Sequence, residues 1–235
     1  MCGCATVYNP ATQRREMIFI NEQTEVSLGS NASAQINQQK RLSYEAAYVD
    51  RVRRIGTKIA RLSDRPGLPY QFHVLDDEEL NALSLPGGFI YVNKGLVKAY
   101  TDDELAYVLG HEIAHVAAKH AVKKIQADMG FQLLLTVAFA ALGERTGASA
   151  QDIGSLSSGM FNLVSLGYSR ADEYLADRLG VIYMHRAGFD PRAALAALRK
   201  LEEAGQKSKL LEYFRSHPYP EDRIKALESI IKQLT

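Results

Sequence analysis

Two histidines four residues apart, with a glutamate directly after the first, carry the most definite chemistry in the sequence: His111-Glu112-Ile113-Ala114-His115. On a helix each residue advances about 100°, so His111 and His115 stand on one face, one turn apart. Two imidazoles so placed can bind one tetrahedral metal ion, and nitrogen donors suit zinc. Glu112 then sits where its carboxylate can take a proton from an attacking water, as the base of a hydrolase. On a plain core helix the same residues would be two hydrogen-bonded histidines and nothing more. A hydrolytic zinc site also needs a third protein ligand and an open fourth position. Glu173, within Ser169-Arg170-Ala171-Asp172-Glu173-Tyr174-Leu175-Ala176-Asp177, is the candidate ligand. Asp177 follows one turn later on the same face, where it can accept the second N–H of a ligand histidine and fix that ring. By itself a Glu-x-x-x-Asp spacing is common on solvated helices. The upstream histidines are what make it a ligand candidate.

Chemistry at this spacing requires helices, and the surrounding pattern predicts them. Thr101-Asp102-Asp103-Glu104 reads as a capping box, and Leu105, Val108, Leu109, Ile113 and Val116 continue as an apolar stripe. Asn21 is a cap for a helix running to about Lys40. Ser43 is a cap for the next, where Tyr48, Val52, Ile55, Ile59 and Leu62 recur at helical spacing. Residues 1–20 read as an extended arm. Phe72 and Val74 alternate with polar neighbours as a half-buried strand does, and Asn81–Asn93 reads as two extended pieces around Pro86-Gly87-Gly88. A helical pair is expected over roughly 151–187, carrying Glu173, and Asp190-Pro191 and Pro220-Glu221-Asp222 each open a further helix. The apolar segment 131–142 is too short to span a membrane, which takes about 20 residues. It reads as a core helix, with a cover over the cleft as the functional alternative. The expected architecture is α+β, mainly helical with one small sheet, and a single domain over 21–235. His120, nine residues past His111, falls about 180° round the helix and is expected to point away from the metal. His73 and His185 have no partner motif and read as structural.

Four segments in order then resemble one family. They are the two motifs above, Asn81-Ala82-Leu83-Ser84-Leu85-Pro86-Gly87-Gly88-Phe89-Ile90-Tyr91-Val92 before them, and Ser216-His217-Pro218-Tyr219-Pro220-Glu221-Asp222-Arg223-Ile224 after them. Together they are similar to the HtpX and CAAX prenyl protease family of gluzincin metallopeptidases, and within it to the soluble BepA/LoiP/Oma-like branch. The resemblance implies a zincin-like fold holding Zn²⁺ and a polypeptide substrate bound as an added β-strand along an exposed sheet edge, here near Asn81, Ala82 and Leu83. Pattern alone would make that segment a hairpin packed on the core. The resemblance also brings His217 into the site, where the residues alone suggest a lone surface histidine held extended by Pro218. Two roles are then open to it: donating to the oxyanion of the reaction, or filling the open metal position and keeping the enzyme latent. Its fixed post before a proline favours the first. Arg223 is expected to brace this corner through a carboxylate.

Composition narrows the class. At 235 residues the chain can bury a proper core, and 28 Lys+Arg against 27 Asp+Glu leave a net charge of +1 with no basic block. That pattern does not suggest a nucleic-acid partner. Cys2 and Cys4 are the only cysteines, so sulfur supplies neither a disulfide framework nor a zinc site. Gly3-Cys4-Ala5 is how a bacterial lipoprotein begins after its leader, which leads us to expect a periplasmic protein attached to the outer membrane through lipidated Cys4. Two incidental thiols on a tail are the plain reading. The sequence thus points to a zinc endopeptidase acting on unfolded or misassembled envelope proteins. The competing class is a periplasmic chaperone or assembly factor with a latent zinc site, against which the intact Glu112 base speaks.

Overall fold

The computed structural model describes residues 6–128, 167–206, 217 and 220–234. The apolar segment 131–142, the first half of the expected 151–187 pair, and Cys2 and Cys4 lie outside the described residues. At the start, the expected arm folds back on itself. Strands β1 (Thr6–Asn9) and β2 (Arg14–Met17) pair antiparallel, Thr6 opposite Met17, around a turn in which Gln13 takes φ 55°. The Asn9 amide ties this hairpin to the body, donating to Ala118 O at 3.3 Å.

Helix α1 (Glu22–Gln39) begins at the expected cap, with Asn21 Oδ1 accepting the Thr24 N–H at 2.8 Å. Helix α2 (Ala46–Ala60) starts later than Ser43 suggests. Ser43 instead lends its backbone N–H to Val74 O, so this serine belongs to the sheet margin, and Leu62 falls past the helix end. The main sheet has order β3-β5-β4, from Gln71–Leu75, Phe89–Asn93 and Ala82–Leu85, with β3 parallel and β4 antiparallel to β5. Its alternation has two buried destinations. Ile90 and Val92 face the large core, while Phe89 and Tyr91 face a second cluster with Ile36 of α1. The turn joining β4 to β5 (Pro86–Gly88) places Gly87 at φ 75°, where a Cβ would also meet Val26 of α1 at 2.6 Å.

A short α3 (Lys94–Ala99) leads into α4 (Asp102–Ala117), whose predicted capping box is present in full: Thr101 Oγ1 accepts the Glu104 N–H, and Glu104 Oε2 the Thr101 N–H. Every residue from Glu104 to Ala117 is buried, because α2, α6 (Arg170–Arg186), α7 (Ala193–Gln206) and β4 all pack around α4. After α4 the chain breaks at residues 118–119, with Lys119 at φ 59°, and is helical again over 120–128 (α5). Pro191 stands two residues before α7, with Asp190 Oδ1 accepting the Arg192 N–H. The last helix, α8 (Pro220–Leu234), buries Leu227 and Ile231. The fold is mainly helical α+β, as expected, with the N-terminal hairpin as an addition. No helix among the described residues is long and apolar enough to cross a membrane.

Candidate metal centre

Helices α4 and α6 meet at two glycines. A Cβ on Gly110 would lie 2.7 Å from Gly180 O, and one on Gly180 would lie 2.8 Å from His111 N. Backbones this close bring the residue after Gly110, which is His111, against the face of α6 that carries Glu173 and Asp177. The result is a buried cluster in which His111, His115, Glu173 and His217 each offer one ligand atom, all within 4.8 Å of one another. His111 Nε2 is 2.9 Å from His115 Nε2, 3.5 Å from Glu173 Oε2 and 3.3 Å from His217 Nδ1. Glu173 Oε1 is 3.5 Å from His115 Nε2 and 3.0 Å from His217 Nδ1.

These atoms fit a zinc ion. Donors about 2.0–2.1 Å from a tetrahedral centre stand roughly 3.3 Å from each other, and the five separations above, from 2.9 to 3.5 Å, bracket that spacing. Two imidazole nitrogens 2.9 Å apart share at most one proton, so their lone pairs are compatible only with a cation or that proton between them. Glu112, 1% exposed, has both carboxylate oxygens without a hydrogen-bond partner among the described residues. Such an acceptor is costly unless something polar is brought to it. Burial, helped by the charge of Arg223 beside His111 and by His111 beside His115, drives the His111 pKa down and His115 to about 4, which keeps both imidazoles neutral, the form that binds metal.

Around this cluster the charges are arranged in a second ring. His111 Nδ1–H faces Asp177 Oδ1 at 2.9 Å, and Tyr107 Oη donates to the same oxygen at 2.6 Å. Arg223, 1% exposed, grips Asp177 with two hydrogen bonds of 2.7 Å and brings Nη1 to 2.9 Å from Glu173 Oε2. Burial pushes the two carboxyl pKa values up, but Arg223 and the neighbouring histidines outweigh it, so both are held well below the usual range. His217 Nε2 lies 3.4 Å from Glu112 Oε1. Burial lowers the His217 pKa, yet Glu173 and Glu112 raise it by more.

The structure therefore brings together His111, Glu112, His115, Glu173, Asp177, His217 and Arg223. The expected substrate residues lie at the start of β4. Asn81 and Ala82 are buried, Leu83 is half-buried, and the Asn81 carbonyl is taken by the Asn93 N–H at 2.9 Å. It is the other end of β4, Ser84 and Leu85, that lines a small cavity with His115 and Tyr168. His73 stacks on Tyr91, and His185 is exposed. One expectation is overturned. His120 does not point away: its Nδ1 lies 2.8 Å from His115 Nδ1, because the break at 118–119 turns α5 back towards the cluster. Lys119, in the left-handed region, is held there by Glu25 at 3.0 Å. Ala-Ala-Lys carries no glycine or proline to announce that break, so a straight helix was the natural extrapolation.

A helix presenting two histidines one turn apart to a glutamate from a second helix, with a carboxylate base beside the first histidine, defines a zincin-like metallopeptidase. Residues 47–231 match Peptidase family M48, and the chain belongs to that family. It is 33% identical over 180 residues to the mitochondrial metalloendopeptidase OMA1 of Schizosaccharomyces pombe, covering 75% of this chain and 51% of that protein. It is 27% identical over 208 residues to the beta-barrel assembly-enhancing protease of Yersinia pestis, covering 85% and 42%. With OMA1 of Arabidopsis thaliana the identity is 31% over 169 residues, covering 72% and 33%. The chain thus spans about half or less of the length of these relatives.

Proposed function

We propose that the chain is a zinc-dependent endopeptidase in which His111, His115 and Glu173 hold the metal. The observation that carries this reading is the buried quartet beside Glu112, whose carboxylate is hydrogen-bonded to nothing among the described residues. Zinc so held supplies Lewis acidity to the scissile carbonyl and the attacking water. Glu112 takes the water's proton and returns it to the leaving amine. Asp177 and Arg223 keep His111 and Glu173 in register.

For His217 the geometry favours the second of its two roles. Its Nδ1 stands among the metal-facing atoms, so we assign it the fourth ligand position of a latent conformation, which the imidazole leaves for turnover. The oxyanion role keeps one supporting contact, the 3.4 Å approach of Nε2 to Glu112.

The substrate is a polypeptide segment added to the outer edge of β4, which among the described residues is an edge strand of its sheet. The shared cavity with His115 supports placing the pairing towards Leu83–Leu85 instead of Asn81–Leu83. Relatives named for mitochondria and for β-barrel assembly support unfolded or misassembled envelope proteins as the substrate class. A periplasmic site, with lipidated Cys4 as anchor, accords with Gly3-Cys4-Ala5. A single domain over 21–235 remains our division of the chain.

Metal analysis beside casein turnover tests the core of this reading. The wild type and Glu112→Gln should each carry about one zinc per chain, since Glu112 is a base and not a ligand. Turnover should fall at least a few hundred-fold in the variant. Equal turnover removes the mechanism, and a wild type without zinc removes the site.

A further inference from the structure

His120 takes no part in the mechanism above, yet it is 3% exposed and its ring meets His115 edge-on, with centroids 4.9 Å apart. The contact is polar. The two Nδ1 atoms are 2.8 Å apart, a distance at which one nitrogen must donate and the other accept. His115 Nε2 faces His111 and Glu173, so its lone pair is committed to the metal side and its N–H must be at Nδ1. That N–H donates to the Nδ1 lone pair of His120. The His120 proton is thereby fixed on Nε2, which makes no hydrogen bond among the described residues but stands 3.3 Å from Asp172 Oδ1, within reach of its charge. Asp172 is itself held by its other oxygen: Oδ2 accepts from Ser169 Oγ at 2.6 Å and from the Ser169 N–H at 3.2 Å. Against the face of His115 the Tyr168 ring is stacked, 4.0 Å between centroids and 21° between planes.

We infer that His120 is a positioning residue for the metal centre, fixing the tautomer and ring plane of His115 and backed by Asp172. It does for His115 what Asp177 does for His111, and both supports trace back to α6. Asp172, Glu173 and Asp177 lie within six consecutive residues, so one short stretch supplies a ligand and steadies two others. The two supports differ in kind, an ionised carboxylate against His111 and an imidazole against His115. The inference rests on the cluster being a zinc site and adds a residue to it.

Three proteins test it: wild type, His120→Phe and His120→Gln. Phenylalanine fills the ring's space without accepting a hydrogen bond, whereas glutamine Oε1 can accept the His115 N–H. Zinc affinity, read by chelator competition, should drop about ten- to a hundred-fold in H120F. It should recover to within a few-fold of wild type in H120Q. Imidazole ¹H–¹⁵N spectra of the zinc-loaded proteins should show a protected His115 Nδ1–H in wild type, shifted in H120Q and lost in H120F. H120F binding zinc as tightly as wild type, or H120Q doing no better than H120F, overturns the inference and leaves His120 as core packing. Should H120F fail to fold, the H120Q spectrum decides, because an unmoved Nδ1–H resonance would mean that residue 120 is not its acceptor. Failure of the wild type to bind zinc is a separate result, and it sinks the metal centre itself.

Discussion

Gly180→Ala is a one-methyl test of whether the α4–α6 crossing sets the metal geometry. In an open helix this change is favourable by about 1 kcal/mol, since alanine loses less backbone entropy than glycine. Here the new Cβ would stand 2.8 Å from His111 N and 3.0 Å from both Gly110 C and His111 Cα. It must retreat by about 0.6 Å to reach 3.4 Å, where ordinary contact begins, and the atoms in its way are backbone. Overpacking of this kind costs about 1–3 kcal/mol, so the metal-free protein should lose up to about 2 kcal/mol net. The displacement is about three times the 0.2 Å or so that metal–ligand distances tolerate. Part of it can be absorbed by tilting α6, whose Glu173 lies two turns from the pivot. Zinc affinity should still fall at least about tenfold, equivalent to about 1.4 kcal/mol. The assay is chelator competition together with thermal unfolding with and without chelator. Gly67→Ala is the control, because no atom lies within 4 Å of its added Cβ. A Gly180→Ala protein that melts higher than wild type and holds zinc equally well would refute the argument.

Four further outcomes follow from the same geometry. Glu173→Ala should abolish tight zinc binding, whereas Asp177→Ala should weaken it about ten- to a hundred-fold, both read by chelator competition; undiminished binding in Glu173→Ala would move the third ligand elsewhere. His217→Ala should keep zinc and raise basal casein turnover, while a fall of about a hundred-fold would restore the oxyanion role. Arg223→Met strands two buried carboxylates without their counter-charge and should cost about 3–5 kcal/mol in urea unfolding, with an unchanged midpoint arguing against the pairing. In metal-free protein Asp177 has a depressed folded pKa, so its stabilising contribution is complete above the unfolded value of about 3.9 and is lost as pH falls below it. That acid-labile part should be missing from Arg223→Met.

Local signals carried much of the fold. Asn21, the Thr101–Glu104 capping box and the stripe on α4 each depend on neighbours a few residues away, and each element begins where those residues say. The alternation Phe89-Ile90-Tyr91-Val92 was legible as strand, but not that both faces would be covered, since the second covering comes from α1, some fifty residues upstream. Ser43 misled because it stands two residues before Glu45, where the helix actually opens, and its backbone pairs with Val74 at the sheet margin. At the site, His111 and His115 were readable from spacing, whereas His217 and Arg223 needed the resemblance, because nothing local ties them to residues more than a hundred positions earlier. His120 was lost to a helix break fixed from outside, by Glu25 on another helix.

Arg223 has a consequence for how such a chain comes off the ribosome. Until α8 is made, Glu173 and Asp177 are two carboxylates one turn apart on α6 with no guanidinium between them, and bringing both into the interior beside α4 is electrostatically opposed. A nascent chain that ends before residue 217 has His111, Glu112, His115 and Glu173, but neither the fourth side chain of the cluster nor the arginine that neutralises the pair. Assembly of the buried cluster thereby waits for residue 223, whose guanidinium is what lets the two carboxylates of α6 share the interior with α4.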